Sequence, residues 1–275
     1  MPTTYTHYRF GQDVLKVLPK PLRDSIQKNR QLYDIGVHGP DILFYYKVLL
    51  KNRINRIGVE LHGEPGKVFF QQAAHIIKKS PDSAGARAYI YGFITHFALD
   101  SEIHKYVEKM IQVSGISHHE IETELDRHLL EIDQRQPLSH NRTKHIHPSK
   151  ENSRVIAAFY PDITPMQIEK SLKGQIFIHD LLKTPTHEKR RRLLRAMKIT
   201  QTYKPLHGLV MKDLPSDQNK EYSQILAGIY SSSVMVAASL ILNFQKFLFE
   251  NVPLSSRFDE DFEAGPYWRD INLER

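Results

Sequence analysis

Almost every readable segment of this 275-residue chain repeats its apolar side chains at intervals of three and four residues. Clear examples are QDVLKVL near the start, KVFFQQAAHIIKK further on, and the long run ARAYIYGFITHFALDSEIHKYVEKMI after it. This spacing places apolar groups on one face of an α-helix, whereas a half-buried strand would alternate them. The sequence therefore predicts an all-α, multi-helix, bundle-like globular fold. With 40% hydrophobic residues, the chain can bury a sizeable core.

One of these helices carries polar residues on the side that it should bury. His96, Asp100 and His104 are spaced four residues apart, so their side chains lie about one turn from each other along one face. A single buried histidine is usually a hydrogen-bonded core residue. A buried carboxylate, however, is costly unless a cation or a strong donor lies beside it. The three residues together favour a metal site.

A second segment repeats this arrangement with His118, Glu122 and Asp126. Two helices with inward-facing imidazole and carboxylate groups at one-turn spacing are typical of a metal cluster in a helical core. The chain has no cysteine, so His, Asp and Glu must supply the ligands, and 15 histidines are present. Such ligands favour zinc, with manganese or iron as alternatives.

Three further candidates lie upstream, namely His7, Asp41 and His62. Each also has a purely structural interpretation: a histidine at the start of a helix, an aspartate that caps the helix DILFYYK, and a histidine in a loop. The rigid Gly39-Pro40 turn can present Asp41 from a loop. His38 is a further possibility, but two ligands on one turn would be crowded.

In order and type, these residues resemble the zinc-dependent phospholipase C proteins of bacteria, which are related to the single-strand-specific fungal nucleases. The family pattern is His, Asp, His, His-x3-Asp, His and His-x3-Glu, and the resemblance covers about residues 5–130. It implies an all-α fold and two or three zinc ions. The implied metal ligands are His7, Asp41, His62, His96, Asp100, His104, His118 and Glu122.

The resemblance also implies how the ligands are shared. One zinc would be held by Asp41, His62, His96 and Asp100. A second would be held by His104, His118 and Glu122. A third would be held by His7 together with a bridging Asp100.

By the same resemblance, the chain is a zinc-dependent phosphodiesterase that hydrolyses a phosphodiester by attack of a metal-activated water. Asp41 is the candidate catalytic residue, which would orient or deprotonate that water. Expected partners are a phosphodiester substrate such as a phospholipid headgroup, with nucleic acid as the second choice, and peripheral contact with a membrane. Two alternatives stay open: a single-strand nuclease, and a non-catalytic protein that closed metal sites stabilise.

The sequence departs from the secreted members of the family in three ways. The spacing from Asp100 to His104 is shorter, and the C-terminal half has no counterpart. The secreted members complete their third site with an N-terminal tryptophan, whereas this chain begins Met1-Pro2. We therefore expect removal of Met1, which would leave the amine of Pro2 near His7.

We expect a single all-α domain over residues 1–275, with a phospholipase C-like metal-binding half at 1–133, a loop at 134–153 and a helical half at 154–275. Residues 223–245 are uncharged and long enough to span a bilayer, and they fit a buried central helix equally well. In the loop we expect surface histidines at 140, 145 and 147, and in the next helix a core histidine at 179. The C-terminal tail, acidic and aromatic, is interpreted as a docking segment.

Charge and the N-terminal sequence bear on partners and location. The formal net charge of +7 favours anionic partners. The basic run Lys189-Arg190-Arg191-Arg192 is more typical of a solvated helix face than of a binding patch. No secretory signal pattern is visible at the start, so we expect a cytoplasmic protein.

Overall fold

A computed structural model of the chain describes residues 4–273, and within that range it contains α-helices and short 3-10 helices but no strand. The prediction of an all-α fold is confirmed. The α-helices are α1 (Thr4–Val17), α2 (Lys20–Gln27), α3 (Arg30–Gly36), α4 (Arg53–Gly63), α5 (Gly66–Lys79), α6 (Ser83–Ser114), α7 (His118–Ile132), α8 (Lys150–Ala157), α9 (Pro165–Leu182), α10 (His187–Ile199), α11 (Tyr203–Leu206) and α12 (Asp217–Glu250). The 3-10 helices are Gly39–Tyr45, His207–Leu209, Ser256–Asp259 and Trp268–Asp270.

Helix α6 is the centre of the fold. All residues from 88 to 101 are buried, and α1, α3, α5 and α12 pack around the helix. Helix α3 comes closest because Gly36 and Gly92 let the two backbones touch: a Cβ on either glycine would overlap a carbonyl oxygen of the other helix. A polar residue in this stretch of α6 is therefore buried.

The sequence pattern Ser117-x-x-Glu120 predicts a capping box at the start of α7, and Thr164-Pro165 predicts a capped start of α9. Both helices begin there, with one difference in how the caps are made. Thr164 and Gln167 form a complete capping box at α9. At α7 the Ser117 side chain accepts a hydrogen bond from the Glu120 amide. The Glu120 carboxylate, however, accepts from Lys212 and Asn219 instead of returning to Ser117. Half of the predicted box at α7 is therefore used to attach the C-terminal half.

The C-terminal half packs on the N-terminal half through α12, which contacts α1, α6 and α7. Of the described helices, α12 is the one that is long and apolar enough to cross a membrane by length and composition. Its buried residues, Leu226, Ala237, Ile241 and Phe244 among them, belong to the main core. A separate small apolar cluster of Leu182, Met197, Leu209 and Val210 joins α9 to α10.

The loop after α7 is shorter and more buried than the sequence predicts, because α8 already begins at Lys150. His147 is exposed as expected, but His145 is buried. Its Nε2 atom lies 2.7 Å from Nε2 of His38, and its ring stacks on Tyr8. His38 therefore has a hydrogen-bonding partner in the core.

His179 is buried as predicted, with Nε2 2.8 Å from the Thr4 hydroxyl and 3.0 Å from that of Tyr45.

Candidate metal centre

Helix α6 brings His96, Asp100 and His104 to one face. The Nε2 atom of His96 lies 3.0 Å from Oδ2 of Asp100, and Nε2 of His104 lies 4.0 Å from Oδ1. Helix geometry fixes this line of residues because side chains four apart stand one above the other. Asp100 is therefore the midpoint of the cluster, as the spacing predicts.

His7 approaches Asp100 from α1. Its Nε2 atom is 3.2 Å from Oδ1 of Asp100, and its ring lies 4.4 Å from that of His96. Helix α1 is held there by Asp126 of α7, which accepts hydrogen bonds from the amide and hydroxyl of Thr6, each at 2.8 Å. Asp126 thus lies in the core as predicted, but it anchors α1 and belongs to no ligand group.

Asp41 and His62 close the cluster on another side. Asp41 lies in the 3-10 helix Gly39–Tyr45, and its Oδ1 atom is 3.2 Å from Nε2 of His62 in α4. Nδ1 of His62 lies 2.7 Å from the carbonyl of Gly58, which can only accept, so Nδ1 carries the proton and Nε2 has a lone pair for a metal. Gly39, at φ +50°, packs against the ring of His96 so closely that a Cβ would overlap it.

The start of α7 supplies the remaining pair. Oε1 of Glu122 is 3.1 Å from Nε2 of His118 and 3.5 Å from Nε2 of His104. The short spacing from Asp100 to His104 therefore still brings His104 to this second group. Glu108, one further turn along α6, lies 3.7 Å from Nδ1 of His118.

The eight predicted ligands fall into three groups. Within each group, the ligand atoms lie within 4.8 Å of one another. The groups are His7, His96 and Asp100; Asp41, His62 and His96; and His104, His118 and Glu122. His96 belongs to both of the first two groups, and Asp100 lies 3.0 Å from it. The division of individual ions among the eight residues stays a prediction.

Seven of the eight residues, all except the fully buried His96, line an open cavity of about 720 Å³. Phe44 and Val59 form an apolar part of its wall. Among the described residues 4–273, no Lys or Arg lines the cavity, but six carboxylates do: Asp41, Asp100, Glu108, Glu122, Asp261 and Glu263. Trp268 and the Ala264-Gly265-Pro266 turn complete the side formed by the C-terminal segment.

The sequence model of zinc-dependent phospholipase C matches residues 6–174, which is more than half of the chain and includes all eight residues of the three groups. The chain belongs to the zinc-dependent phospholipase C family. No curated protein and no solved structure matches it significantly. Membership in this zinc-dependent phospholipase C family implies a zinc-dependent hydrolase.

The side chains of the three groups fit a metal. His96 is fully buried, yet neither of its ring nitrogens makes a hydrogen bond within residues 4–273, although Oδ2 of Asp100 lies only 3.0 Å from Nε2. The two side chains are close together, but their relative orientation does not suit a hydrogen bond. Two ligands turned towards a shared ion have this geometry. A buried imidazole without any partner is otherwise costly.

The carboxylates of the three groups raise the proton affinity of their imidazole neighbours. Burial by itself lowers the pKa of His118, but Glu122 and Glu108 raise it to about 10. Burial also acts to lower the pKa of His7, but the nearby Asp100 carboxylate outweighs it, so this pKa is raised. For Asp100 the effects are reversed. Burial acts to raise its pKa, but the imidazoles of His96, His104 and His7 hold the pKa well below its usual value. The cluster therefore attracts either protons or a cation.

The C-terminal segment after α12 holds part of the centre in place, and it lies outside the family match. The carbonyl of Phe262 accepts a 2.6 Å hydrogen bond from Nδ1 of His104, which leaves Nε2 for a metal. The amide of Phe262 donates to the carbonyl of His62 at 3.0 Å. The predicted docking segment thus docks on the protein itself.

Sequence reasoning missed the remaining residues that line the cavity. Glu108 continues the four-residue spacing of His96, Asp100 and His104, and that repeat was a usable signal. Asp261, Glu263 and Trp268 come from an irregular segment far along the chain, where no spacing rule connects them with α6. The predicted amine of Pro2 lies outside the described residues.

Proposed function

We propose that this protein is a zinc-dependent phosphodiesterase that hydrolyses the phosphodiester of a phospholipid headgroup. The observation that carries the proposal is the convergence of eight imidazole and carboxylate groups, of which seven line one open cavity and the eighth, His96, is buried directly behind them. Family membership supports zinc as the ion and a phospholipid as the class of substrate.

In this proposal the zinc ligands are those predicted from the sequence, and two or three ions bind. Manganese or iron would be the alternative ions. When bound, zinc supplies Lewis-acid catalysis and neutralises negative charge on the phosphoryl group. His62 and His104 are prepared for this by their Nδ1 hydrogen bonds to main-chain carbonyls, which fix the tautomer that leaves Nε2 for the metal.

Asp41 is the proposed catalytic base. It is buried at the cavity wall, and its Oδ1 atom lies 3.2 Å from Nε2 of His62. Burial acts to raise the pKa of Asp41, but hydrogen bonding to His62 helps to keep it below its usual value, so the carboxylate is ionised at neutral pH. An ionised carboxylate at the cavity can orient an attacking water and accept its proton.

The cavity favours a lipid headgroup over a nucleic-acid strand. A groove that follows a nucleic-acid strand carries cations along its length. The described residues that line this cavity include six carboxylates and no Lys or Arg. The purely structural alternative requires closed metal sites. It is disfavoured because His118 keeps 32% of its side chain exposed and the groups line a cavity that opens to solvent. The cytoplasmic location stays a prediction.

The proposal is tested on protein purified without chelators or affinity metals. Zinc content per chain is measured first, followed by hydrolysis of a short-chain phosphatidylcholine and of a single-stranded oligonucleotide by the same sample. We expect two or three zinc ions and hydrolysis of the lipid. Asp41→Asn is expected to abolish hydrolysis, and Asp34→Asn, another buried carboxylate outside the cavity, is its matched control.

Each other outcome has a defined meaning. Zinc without hydrolysis of either substrate would overturn the enzyme proposal in favour of a structural metal centre. Hydrolysis of the oligonucleotide alone would identify a nuclease. Absence of bound metal would mean that the histidines are core residues.

A further inference from the structure

Helix α10 concentrates the positive charge of the protein. Its sequence, HEKRRRLLRAMKI, holds six Lys or Arg residues and one Glu, a formal charge of +5 out of +7 for the whole chain. The helix lies outside the family match, which ends at residue 174. The cavity, by contrast, is lined by acidic residues.

The inner side of α10 is already occupied. Met197 is buried in the small apolar cluster, with Leu193 and Leu194 packed against it. Two of the cations face neighbours as well: Nε of Arg190 donates to the carbonyl of Met211 at 3.1 Å, and Nζ of Lys189 donates to that of Asp180 at 3.3 Å. These contacts fix the helix with its opposite side towards solvent.

The outer side presents Arg191, Arg195 and Lys198, which are spaced four and three residues apart and therefore lie on one face. All three are exposed. Within the described part of the chain, Arg191 and Arg195 form no ion pair or hydrogen bond, and Lys198 lies over the ring of Tyr203 at 5.0 Å. This face, called here the basic face, offers charges that no internal carboxylate neutralises.

Exposed apolar side chains stand at both ends of α10. Leu181, in the last turn of α9, is 42% exposed, and Ile199, the last residue of α10, is 82% exposed. A helix that lies flat on a bilayer combines cations at the headgroups with apolar side chains that enter the interface. A nucleic-acid surface would instead combine cations with stacking aromatic rings. The basic face and its apolar ends therefore suit an anionic bilayer better.

The unit that carries α10 adjoins the cavity. The 3-10 helix His207–Leu209 packs on the first turn of α7, and a Cβ on Gly208 would come within 2.7 Å of the Ser117 hydroxyl oxygen and 2.8 Å of the Glu120 amide. The same turn of α7 presents His118 to the cavity. The unit that carries α10 therefore packs on the helix turn that also supplies a residue of the cavity.

We propose that the basic face of α10 binds the protein to the anionic surface of a phospholipid bilayer. This inference rests on the proposed function, because it supplies the lipid phase from which a phospholipid substrate would enter the cavity. Attraction to anionic lipids contributes about a fivefold gain in binding for each Lys or Arg near the surface, and it weakens with salt.

The test is co-sedimentation of the full-length protein with two kinds of vesicle, phosphatidylcholine alone and phosphatidylcholine mixed with phosphatidylglycerol. We expect binding to the mixed vesicles that falls as salt increases. In the triple variant Arg191→Glu, Arg195→Glu, Lys198→Glu, binding to the mixed vesicles should be weaker by about 100-fold or more. Its matched control is Lys28→Glu, Lys78→Glu, Lys246→Glu, which changes the net charge equally at exposed positions outside α10 and should bind almost as wild type.

Hydrolysis of a soluble short-chain phosphatidylcholine, measured on the same samples, separates this proposal from the proposed function. Both triple variants should hydrolyse it at the wild-type rate. Equal binding to both kinds of vesicle, an equal loss in both variants, or binding to single-stranded RNA without binding to mixed vesicles would overturn the docking proposal. Salt-dependent vesicle binding by a protein that hydrolyses nothing would overturn the proposed function alone.

Discussion

The ring of His104 and the main chain of Phe262 are joined by a 2.6 Å hydrogen bond across 158 residues of sequence. Because a carbonyl accepts only, Nδ1 of His104 carries the proton and Nε2 faces Glu122 with a lone pair. Phe262 is buried, and its ring packs 5.0 Å from that of Phe97. A core aromatic residue thus fixes the position of the carbonyl that orients a proposed metal ligand.

Phe262→Ala should weaken zinc binding as well as stability. Removal of a buried phenylalanine costs about 3–5 kcal/mol of unfolding free energy. Displacing the group that hydrogen-bonds and orients a metal ligand lowers metal affinity by about 10- to 100-fold. The control is Phe258→Ala, since Phe258 is buried in the same segment but its main chain bonds to neither histidine. Zinc competition with a chelator and chemical denaturation would show equal destabilisation but a larger affinity loss for Phe262→Ala. Equal affinity losses would contradict the orienting role.

Asp100→Asn should remove at least one zinc per chain and leave helicity intact, because the carboxylate lies next to His7 and His96 in the first group. Loss of a direct ligand should lower zinc affinity by more than the roughly 100-fold that results when a hydrogen-bonding partner of a ligand is lost. Glu124→Gln is the control, since Glu124 is buried and paired with Arg127 at 2.7 Å outside the cluster. Elemental analysis and circular dichroism measure both effects. Full zinc occupancy in Asp100→Asn would count against a metal role for this carboxylate.

Gly39→Ala should disturb the metal centre beyond its effect on the backbone. Gly39 has φ +50°, and a Cβ there would overlap the ring of His96. Gly115 also has positive φ, at +69°, but a Cβ there meets no atom within 4 Å, so Gly115→Ala reports the backbone strain alone, about 1 kcal/mol. Thermal denaturation and zinc titration of the two variants should differ, with the zinc deficit confined to Gly39→Ala. Similar zinc binding in both would mean that His96 is not confined by Gly39.

Zinc binding at neutral pH should release protons, and apparent zinc affinity should rise with pH. The zinc-free protein holds a proton on His118, whose pKa is about 10, and the pKa values of His7 and His62 are also raised. A metal must displace these protons, so lower pH favours the proton over the ion. Calorimetric titration in buffers of different ionisation enthalpy counts the released protons. An enthalpy that does not depend on the buffer would refute this prediction.

His179 should make stability depend on pH in acid. Burial, together with the nearby Arg142 charge, lowers its pKa to about 3, against an ordinary value of 6.5 when unfolded. The unfolded state therefore binds the proton first, so this contribution is complete above about pH 6.5 and is lost as pH falls towards 3. His179→Gln should reduce the pH dependence by up to about 1.4 kcal/mol per pH unit in that range. Denaturant titrations of both proteins across it measure the difference, and parallel curves would contradict a neutral buried His179.

The parts of the candidate site that the sequence predicted are those that helix geometry determines. The line of His96, Asp100 and His104 follows from one-turn spacing on α6, and the pair His118 and Glu122 follows from the same rule on α7. The remaining ligand candidates, in α1, the 3-10 helix and α4, came from the family resemblance. They have no mutual spacing rule, since tertiary packing alone brings His7 and Asp41 to α6.

What the sequence did not predict depends on long-range contacts without a periodic signal. The burial of His145 depends on His38, more than 100 residues earlier. Asp126 fitted the metal pattern by spacing, but the backbone amide and hydroxyl of Thr6 satisfy it instead. The C-terminal wall of the cavity comes from residues between two short 3-10 helices, where hydrophobic periodicity carries no information.

The hydrogen bond between His104 and Phe262 also sets an order of assembly during biosynthesis. All eight proposed ligands leave the ribosome long before Phe262, and at 5–20 residues per second the interval is of the order of ten seconds. Throughout that time His104 lacks the carbonyl that orients it. The growing polypeptide therefore has an incomplete cluster until Phe262 has been added, so the metal centre reaches its final configuration well after its last proposed ligand has been made.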